Sequence, residues 1–356
     1  MVDPLPIGAT IGILGGGQLG RMLAVAASRL GLKSVIFDPS ADSPAAQVAN
    51  AHIKGNWDDL AALARFAAQV DVVTYEFENI PTATLDALES SKSVFPPRRA
   101  LAASQDRIFE KEFLTSLGLS VAPFRQIDSA QDFRNAISEI GPNAVLKTRT
   151  LGYDGKGQVR ISNDSDVDQA FAEVGEVPCV LEGFVDFSYE VSVIAARGQD
   201  GSTAAFDPGE NVHRSGILHT TTVPARLSAS QRMDAVLIAA KILNALDYVG
   251  VVGVELFVTP SGLVVNEIAP RVHNSGHWTQ DGTLIDHFEQ HIRAVAGWPL
   301  GDGTRHSDVE MENLIGDDVF RIPEIAKDGA TAIHLYGKAE AREGRKMGHV
   351  NRILKR

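Results

Sequence analysis

The chain has 356 residues, a formal net charge of −12, 44% hydrophobic and 22% charged residues. That composition belongs to a globular protein with room for two or three domains, and the charge excludes a general affinity for nucleic acid or an anionic membrane. A single cysteine, Cys179, excludes internal disulfides and Cys-built metal sites; with no signal pattern and no apolar run near the ~18 residues that span a bilayer, a cytoplasmic protein is expected.

The first hundred residues alternate strand and helix. A buried strand over 10–14 leads into Gly15-Gly16-Gly17-Gln18-Leu19-Gly20, which opens a helix running to about Leu30. Strands over 34–38 and 71–75 follow, and a helix begins near Pro81. This order predicts a parallel, doubly wound sheet. Gly15, Gly17 and Gly20 match the dinucleotide fingerprint, and Asp38 ends the second strand as a ribose-binding acid would. An NAD-dependent dehydrogenase is therefore one reading; tight strand–helix packing, or any anion at a helix N-terminus, is another. Glu76 and Glu78 fall at the carboxyl edge of the sheet, where open α/β folds bind ligands and where solvated loop acids are also common.

Pro96-Pro97 closes this unit. A helical stretch over 107–117 leads to a boundary at Val121-Ala122-Pro123, and a helix over 130–140 precedes a strand over 144–147. Residues 148–158 then form a glycine-punctuated loop before a strand over 159–161. Lying between two strands, it is not a Walker loop. Its glycines let backbone N–H groups approach phosphates, and Lys147 adds a charge at the strand end. A plain flexible hairpin would share the glycines.

A strand over 179–185 changes direction, and a long alternating strand covers 189–197. Strands over 203–206 and 216–222 flank Glu210-Asn211-Val212-His213, and a helix over 228–246 delivers the chain to a hairpin over 254–267. Pro260-Ser261-Gly262 reads as a three-residue loop, which places Glu255 opposite Glu267. Facing carboxylates repel and raise each other's pKa unless cations intervene, and Mg²⁺ bridging phosphates is the usual case. A hairpin edge meeting water is the bland alternative. The following loop over 268–278 is rich in polar and aromatic residues, Arg271, His273 and His277 among them. From Gly337 to Arg356 seven basic residues stand against two acidic ones, as a solvated tail or a small phosphate site.

Lys147, the glycine loop, Glu182-Gly183-Phe184-Val185, Glu255 and Asn266-Glu267 together resemble the ATP-grasp fold. The Gly15–Gly20 turn, the stretch 266–279, Tyr153-Asp154-Gly155-Lys156-Gly157-Gln158 and Gly344-Arg345-Lys346-Met347-Gly348-His349 narrow the resemblance. It is to the ATP-dependent carboxylases of 5-aminoimidazole ribonucleotide in purine biosynthesis, and it runs from Ile11 to about His349. It implies an α/β plus α+β architecture. A Rossmann-like substrate domain would occupy 1–106, the small ATP-grasp subdomain with its glycine-rich lid 107–187, the large subdomain 188–300, and a small β-rich C-terminal domain 301–356.

The implied activity is a carbon–nitrogen ligase reaction. Bicarbonate takes the γ-phosphoryl group of ATP to give carboxyphosphate, and the amine of the ribonucleotide captures the carboxyl group or the CO₂ released from it. The resemblance carries ATP contacts onto Arg107, Lys147, Tyr153, Asp154, Gly155, Lys156, Gly157, Gln158, Glu182, Gly183, Phe184, Val185, Glu190, His213, Asn266 and Glu267. It places two Mg²⁺ on Glu255 and Glu267. Gln18, Leu19, Glu76, Arg271, His273, Asn274, Ser275, Lys338, Arg345 and Lys346 would form the ribonucleotide site, with Asp154, Lys346 and Arg271 in the chemistry. A homodimer with small-molecule substrates is implied as well. Leu151 departs from the pattern, standing where a second lid glycine is expected. A formate- or amino-acid-using ligase of the same fold is the nearest rival. A non-catalytic ATP-binding module would want a metal ligand missing, yet both glutamates are present; biotin carboxylation would need extensions for which this chain has no room.

Overall fold

The computed structural model describes residues 3–152, 155–162 and 165–355. Among them the strands assemble into three sheets. In the first, β1 (Thr10–Leu14), β2 (Lys33–Asp38), β3 (Ala51–Lys54) and β4 (Val72–Tyr75) run parallel in the order β3-β2-β1-β4. Strand β3 has no apolar run to announce it; it is half-exposed at the sheet edge. The strand order reverses between β1 and β4, so the glycine-rich turn after β1 meets the loop after β4 in the crevice that open sheets use for ligands.

The second sheet is antiparallel, with β5 (Phe124–Ile127), β6 (Ala144–Thr148), β7 (Gln158–Ile161) and β8 (Cys179–Gly183) in the order β5-β8-β6-β7. Helices Ala130–Ile140 and Val167–Glu173 cover one face, where Phe133, Ala136 and Phe171 pack on Leu146, Cys179 and Leu181. Alternation along β6 and β8 therefore turns Lys147 and Glu182 to the opposite face.

The third sheet contains β9 (Tyr189–Arg197), β10 (Thr203–Ala205), β11 (Gly209–Arg214), β12 (Ile217–Val223), β13 (Gly250–Thr259), β14 (Gly262–Ala269), β15 (Asp308–Ile315), β16 (Thr331–Leu335) and β17 (Lys346–Lys355). Its order is β14-β13-β9-β11-β12-β15-β17-β16, with β10 added to β9. Two expectations change here. Residues 210–213 lie within β11 rather than between strands, and the basic C-terminal stretch is no tail, because β17 pairs with both β15 and β16 and extends this same sheet.

Helix Ala229–Ala245, started by a Ser228–Gln231 capping box, covers one face of the third sheet. Val191, Val193, Val254 and Leu256 pack there against Ala235, Ala239, Ile242 and Leu243. On the other face Ile194, Ala196 and Val251 join Trp278, Phe288 and Ile292 in a core shared with the first unit through Leu19 and Leu23. Further along the strands the apolar residues on that face give way to Glu190, Ser192 and Glu255.

The β13–β14 hairpin reaches the expected pairing by an unexpected route. Thr259 pairs with Gly262, so the loop holds two residues, not three, and near the turn Val258 faces Leu263 and Leu256 faces Val265. A bulge then leaves Asn266 without a partner, and Glu255 faces Glu267. The extra residue thus sits in the strand rather than in the turn.

Candidate active site

Strand register assembles a polar face on the third sheet. Ser192 of β9 lies opposite Glu255 of β13, Asn211 of β11 opposite Glu190 of β9, and Thr221 of β12 opposite Asn211. His213 Nδ1 is 3.1 Å from Glu190 Oε2. His213, Glu190 and Glu255 bring donor atoms within 4.8 Å of one another, a grouping able to hold a metal ion. Burial and the neighbouring Glu267 raise the Glu255 pKa to about 7. Burial also disfavours charge on Glu267, but Arg107 and Lys147 outweigh it and hold that carboxyl at about 2. Arg107 Nη1 lies 3.0 Å from Glu267 Oε2, and the Glu267 side chain stays 39% exposed while Glu255 is 14% exposed. The facing pair is therefore split: Glu255 belongs with Glu190 and His213, and Glu267 with Arg107.

The second sheet and helix Arg107–Ser116 supply cations facing these carboxylates. Lys147 Nζ donates to Glu182 Oε2 at 2.9 Å. Lys111, buried at 1% exposure, donates to the Asn266 carbonyl at 2.8 Å and lies 3.4 Å from the same Glu182 oxygen. Burial opposes ionisation of Glu182, yet Lys147, Lys111 and Arg107 hold its pKa below the usual value. Glu182 Oε1 and Asn266 Oδ1 are buried and have no hydrogen-bond partner among the described residues. Residues 184–188 link β8 to β9 and so join the two sheets that carry these groups. Sequence reasoning passed over Lys111 and Glu110. The signal was available, since positions three and four residues beyond Arg107 on a helix share its face.

The glycine-rich turn has a different occupant from the one its motif suggests. Gly17 N–H donates to Glu76 Oε1 at 2.8 Å, Gly20 N–H to Glu76 Oε2 at 3.2 Å, and Gly16 N–H to Asp38 Oδ2 at 2.8 Å. A Cβ on Gly15 would lie 2.7 Å, and one on Gly17 2.8 Å, from Glu76 Oε1. The glycines admit a carboxylate of the chain itself, and the donors a dinucleotide pyrophosphate would need are taken. This removes the dehydrogenase reading. It also shows Asp38 capping the turn.

The expected ribonucleotide residues divide. Arg271 Nη2 lies 2.7 Å from Glu78 Oε2 and is close enough to Glu76 and Glu267 for both to raise its pKa, so it links the N-terminal crevice to the carboxylate site. His273 Nε2 is 3.4 Å from Glu255 Oε1. The charge of Lys346 acts on Glu255, His213 and His273, bringing β17 to the same place. Gln18 is half-buried at the start of the first helix. Other side chains are engaged inside the protein. Leu19 is in the core, Ser275 is 1% exposed, and Asn274 exchanges two 2.9 Å hydrogen bonds with Asn313. His277 and Trp278 are each 1% exposed, so the loop expected to face a ligand is half core. Lys338 donates to the Lys346 carbonyl and Arg345 to the Glu340 carbonyl.

Tyr153 and Asp154 lie outside the described residues. Around them Gly155 and Gly157 take φ of 75° and 69°, and Leu151 takes φ of 63°. A cavity of about 480 Å³ lies against Thr148, Arg149 and Pro178. Thr148 follows Lys147 and so points to the other side of β6; Leu151, Gly152, Lys156 and Gly157 of the glycine loop also line the cavity, and Arg149 within it is paired with Asp106 at 2.6 Å.

A parallel N-terminal sheet, a small antiparallel sheet bearing Lys147, and a large sheet bearing the carboxylates define an ATP-grasp enzyme. Sequence profiles agree: the ribonucleotide synthetase preATP-grasp domain matches residues 8–105, the ATP-grasp domain 112–288, and the phosphoribosylaminoimidazole carboxylase C-terminal domain 310–356. Over 352 residues the chain is 54% identical to N5-carboxyaminoimidazole ribonucleotide synthase of Brucella melitensis biotype 1, covering 98% of this chain and 97% of that protein. A solved N5-carboxyaminoimidazole ribonucleotide synthetase in complex with ADP aligns at a TM-score of 0.96 and 42% identity, over 99% of this chain and 94% of the other. The N5-carboxyaminoimidazole synthase of Aspergillus clavatus, solved with ADP and 5-aminoimidazole ribonucleotide, aligns at 0.92 and 30% identity over 98% and 94%. The chain belongs to the N5-carboxyaminoimidazole ribonucleotide synthase family.

Proposed function

We propose that this enzyme carboxylates the amine of 5-aminoimidazole ribonucleotide, using ATP and bicarbonate. The observation that carries the reading is the cleft itself: Arg107 pairs with Glu267, Lys111 and Lys147 converge on Glu182, the Lys147 charge also reaches Glu267, and Glu190 and Glu255 gather with His213. Phosphoryl transfer from ATP asks for that arrangement, because its chemistry is mostly positioning and charge neutralisation. Glu182 Oε1, still lacking a partner, suits the adenine amine, with Val185 at the ring edge and Glu190 and His213 at the ribose. Arg107 and Lys147 would take the phosphates, and the lid from Tyr153 to Gln158 would cover them.

Glu255 and Glu267 would hold Mg²⁺, with Asn266 Oδ1 beside them; carboxylate and amide oxygens suit a hard cation, and Asn266 Oδ1 is buried without a partner. Bound there, the two ions would neutralise charge on the triphosphate. Bicarbonate oxygen forms a bond to the γ-phosphorus as the bond to ADP breaks. The amine nitrogen then bonds to the carboxyl carbon, phosphate leaves, and the amine sheds a proton. Asp154 and Lys346 would handle bicarbonate and that amine, with Arg271, His273, Lys338 and Arg345 around the ribonucleotide. We assign the same four domain spans as above and infer a homodimer, checked by sedimentation. We also place the enzyme in the cytoplasm, where a lone thiol stays reduced.

The test is ADP release from MgATP. It should require bicarbonate and rise strongly with 5-aminoimidazole ribonucleotide. Release indifferent to both would leave the fold and remove the substrate. Formate or an amino acid replacing bicarbonate would favour the rival ligase.

A further inference from the structure

His273 is the last member of a line of buried hydrogen bonds that no ligand contact explains. Thr221 Oγ1 donates to Asn211 Oδ1 at 2.9 Å, and Asn211 Nδ2 donates to Ser192 Oγ at 2.9 Å. Ser192 Oγ donates to Ser275 Oγ at 2.7 Å, and Ser275 Oγ lies 2.8 Å from His273 Nδ1. Thr221, Asn211 and Ser192 stand on the adjacent strands β12, β11 and β9, and all four polar side chains behind His273 are at most 5% exposed.

An amide gives such a line a direction, since its oxygen only accepts and its nitrogen only donates. With Asn211 Oδ1 on Thr221, its NH₂ meets Ser192, whose own proton is then passed on to Ser275. Ser275 in turn gives its proton to His273 Nδ1. The Ser275 backbone N–H, 3.4 Å away, points at the same nitrogen. A ring nitrogen that accepts carries no proton, so the proton of the neutral ring must sit on Nε2, the atom 3.4 Å from Glu255 Oε1. The ring is also fixed in place. A Cβ on Gly253 would lie 2.7 Å from His273 Cβ and 2.9 Å from Cγ, atoms too near the backbone to swing away.

We propose that Thr221, Asn211, Ser192 and Ser275 form a one-way relay that locks His273 as its Nε2–H tautomer, so that it offers Glu255 a donor and withholds its lone pair. Asn211 and Ser192 are then positioning residues acting through His273. A free lone pair at that place would compete for any cation on the carboxylates, whereas a donor orients the carboxylate and leaves it the ligand. Only this last consequence rests on the carboxylase reading.

The test begins without nucleotide, in protein labelled with ¹⁵N-histidine, where long-range ¹H–¹⁵N spectra separate the two tautomers. His273, assigned with a His273→Asn variant, should be protonated at Nε2 alone. In Asn211→Asp the carboxylate accepts from both Thr221 and Ser192, which reverses every hydroxyl down the line and should move the His273 proton to Nδ1. Thr221→Ser keeps the hydroxyl and should keep the wild-type spectrum. With the chemistry added, Asn211→Asp should lower kcat by about tenfold with KM for ATP within about twofold, the scale of lost outer-shell support. A wild-type His273 protonated at Nδ1, or a tautomer unmoved in Asn211→Asp, overturns the relay. If Asn211→Asp does not fold, the wild-type spectrum alone decides. Because the spectra need no turnover, a failed carboxylase assignment and a failed relay leave different marks.

Discussion

Two carboxylate sites, one just past a strand end and one within a hairpin, show what makes an acid part of the scaffold and what makes it a ligand site. Glu76, after β4, is 8% exposed and accepts two backbone N–H groups from the glycine-rich turn. Glu255 and Glu267 face each other, and no backbone N–H among the described residues donates to either. Both sites lie where a ligand was expected. In the first, fixed dipoles of the chain satisfy the carboxylate and offset part of its cost of burial, although burial still holds the Glu76 pKa above the usual value. In the second, like charges meet and the offset comes from side chains that a ligand can displace.

The largest effect that would break this comparison is at Glu267. The isosteric Glu267→Gln removes charge while keeping shape, and ATP turnover, read as ADP release, should fall by about 10²–10³-fold with little change in unfolding temperature. Turnover within tenfold of wild type would take the carboxylate pair out of the mechanism. Glu76→Ala should do the reverse. Two buried donors lose their acceptor, so denaturant unfolding should show a loss of about 2–3 kcal/mol. Unchanged stability with weakened ribonucleotide binding would instead make Glu76 a ligand group.

Much of the second site was legible in the sequence because its carriers lie near punctuation: Lys147 before a glycine loop, Glu255 and Glu267 around a turn. Their pairing was reached through compensating errors, since the residue assigned to the turn is really the Asn266 bulge. Periodicity reports which face a residue shares but cannot place an insertion along a ladder. The occupied N-terminal turn was not legible, because an N–H that binds pyrophosphate and one that binds Glu76, 59 residues away, need the same glycines. The Thr221–Asn211–Ser192 line was hidden for a related reason: it depends on β9 pairing with β11 and β11 with β12, whereas the sequence reading places residues 210–213 between strands.

Glu110 lies between the extremes and sharpens the rule. It is 2% exposed, accepts one backbone N–H, from Ile268 at 2.7 Å, and burial raises its pKa to about 8. One donor is too few to keep it ionised. Its folded pKa stands above its unfolded value of 4.5, so the folded state holds the proton across that window. The stability this contributes is complete below 4.5 and is lost as pH rises toward 8. Near pH 7 the wild type should therefore lose on the order of 1 kcal/mol per pH unit, while Glu110→Gln, which has no proton to lose, should be flatter. Above pH 6.5 the depressed histidines add nothing to this slope. His287 at about 4 and His291 at about 3 lie below their unfolded 6.5, so their stability is present above 6.5 and lost on acidification. Identical slopes between about pH 6.5 and 8 in both proteins would show that Glu110 ionises freely.

The smallest effect is at Leu151, where the backbone rather than a charge is out of its ordinary state. Its φ of 63° is the left-handed conformation that a side chain disfavours by roughly 1–2 kcal/mol, and the side chain is 69% exposed, so little packing compensates. Leu151→Gly removes that strain but frees the unfolded chain by about 0.4–1 kcal/mol. The two nearly cancel, and unfolding free energy should stay within about 1 kcal/mol of wild type. A β-branched Leu151→Val keeps the strain and tightens the side chain, and should be the less stable of the two. The glycine variant should also exchange the amide hydrogens of the lid faster, since a residue at home on both sides of φ = 0 lets the loop open at lower cost. A loss well beyond 1 kcal/mol in Leu151→Gly would mean that Leu151 holds the lid through contacts, and that the lid, like the glycine-rich turn, is fastened by the chain itself.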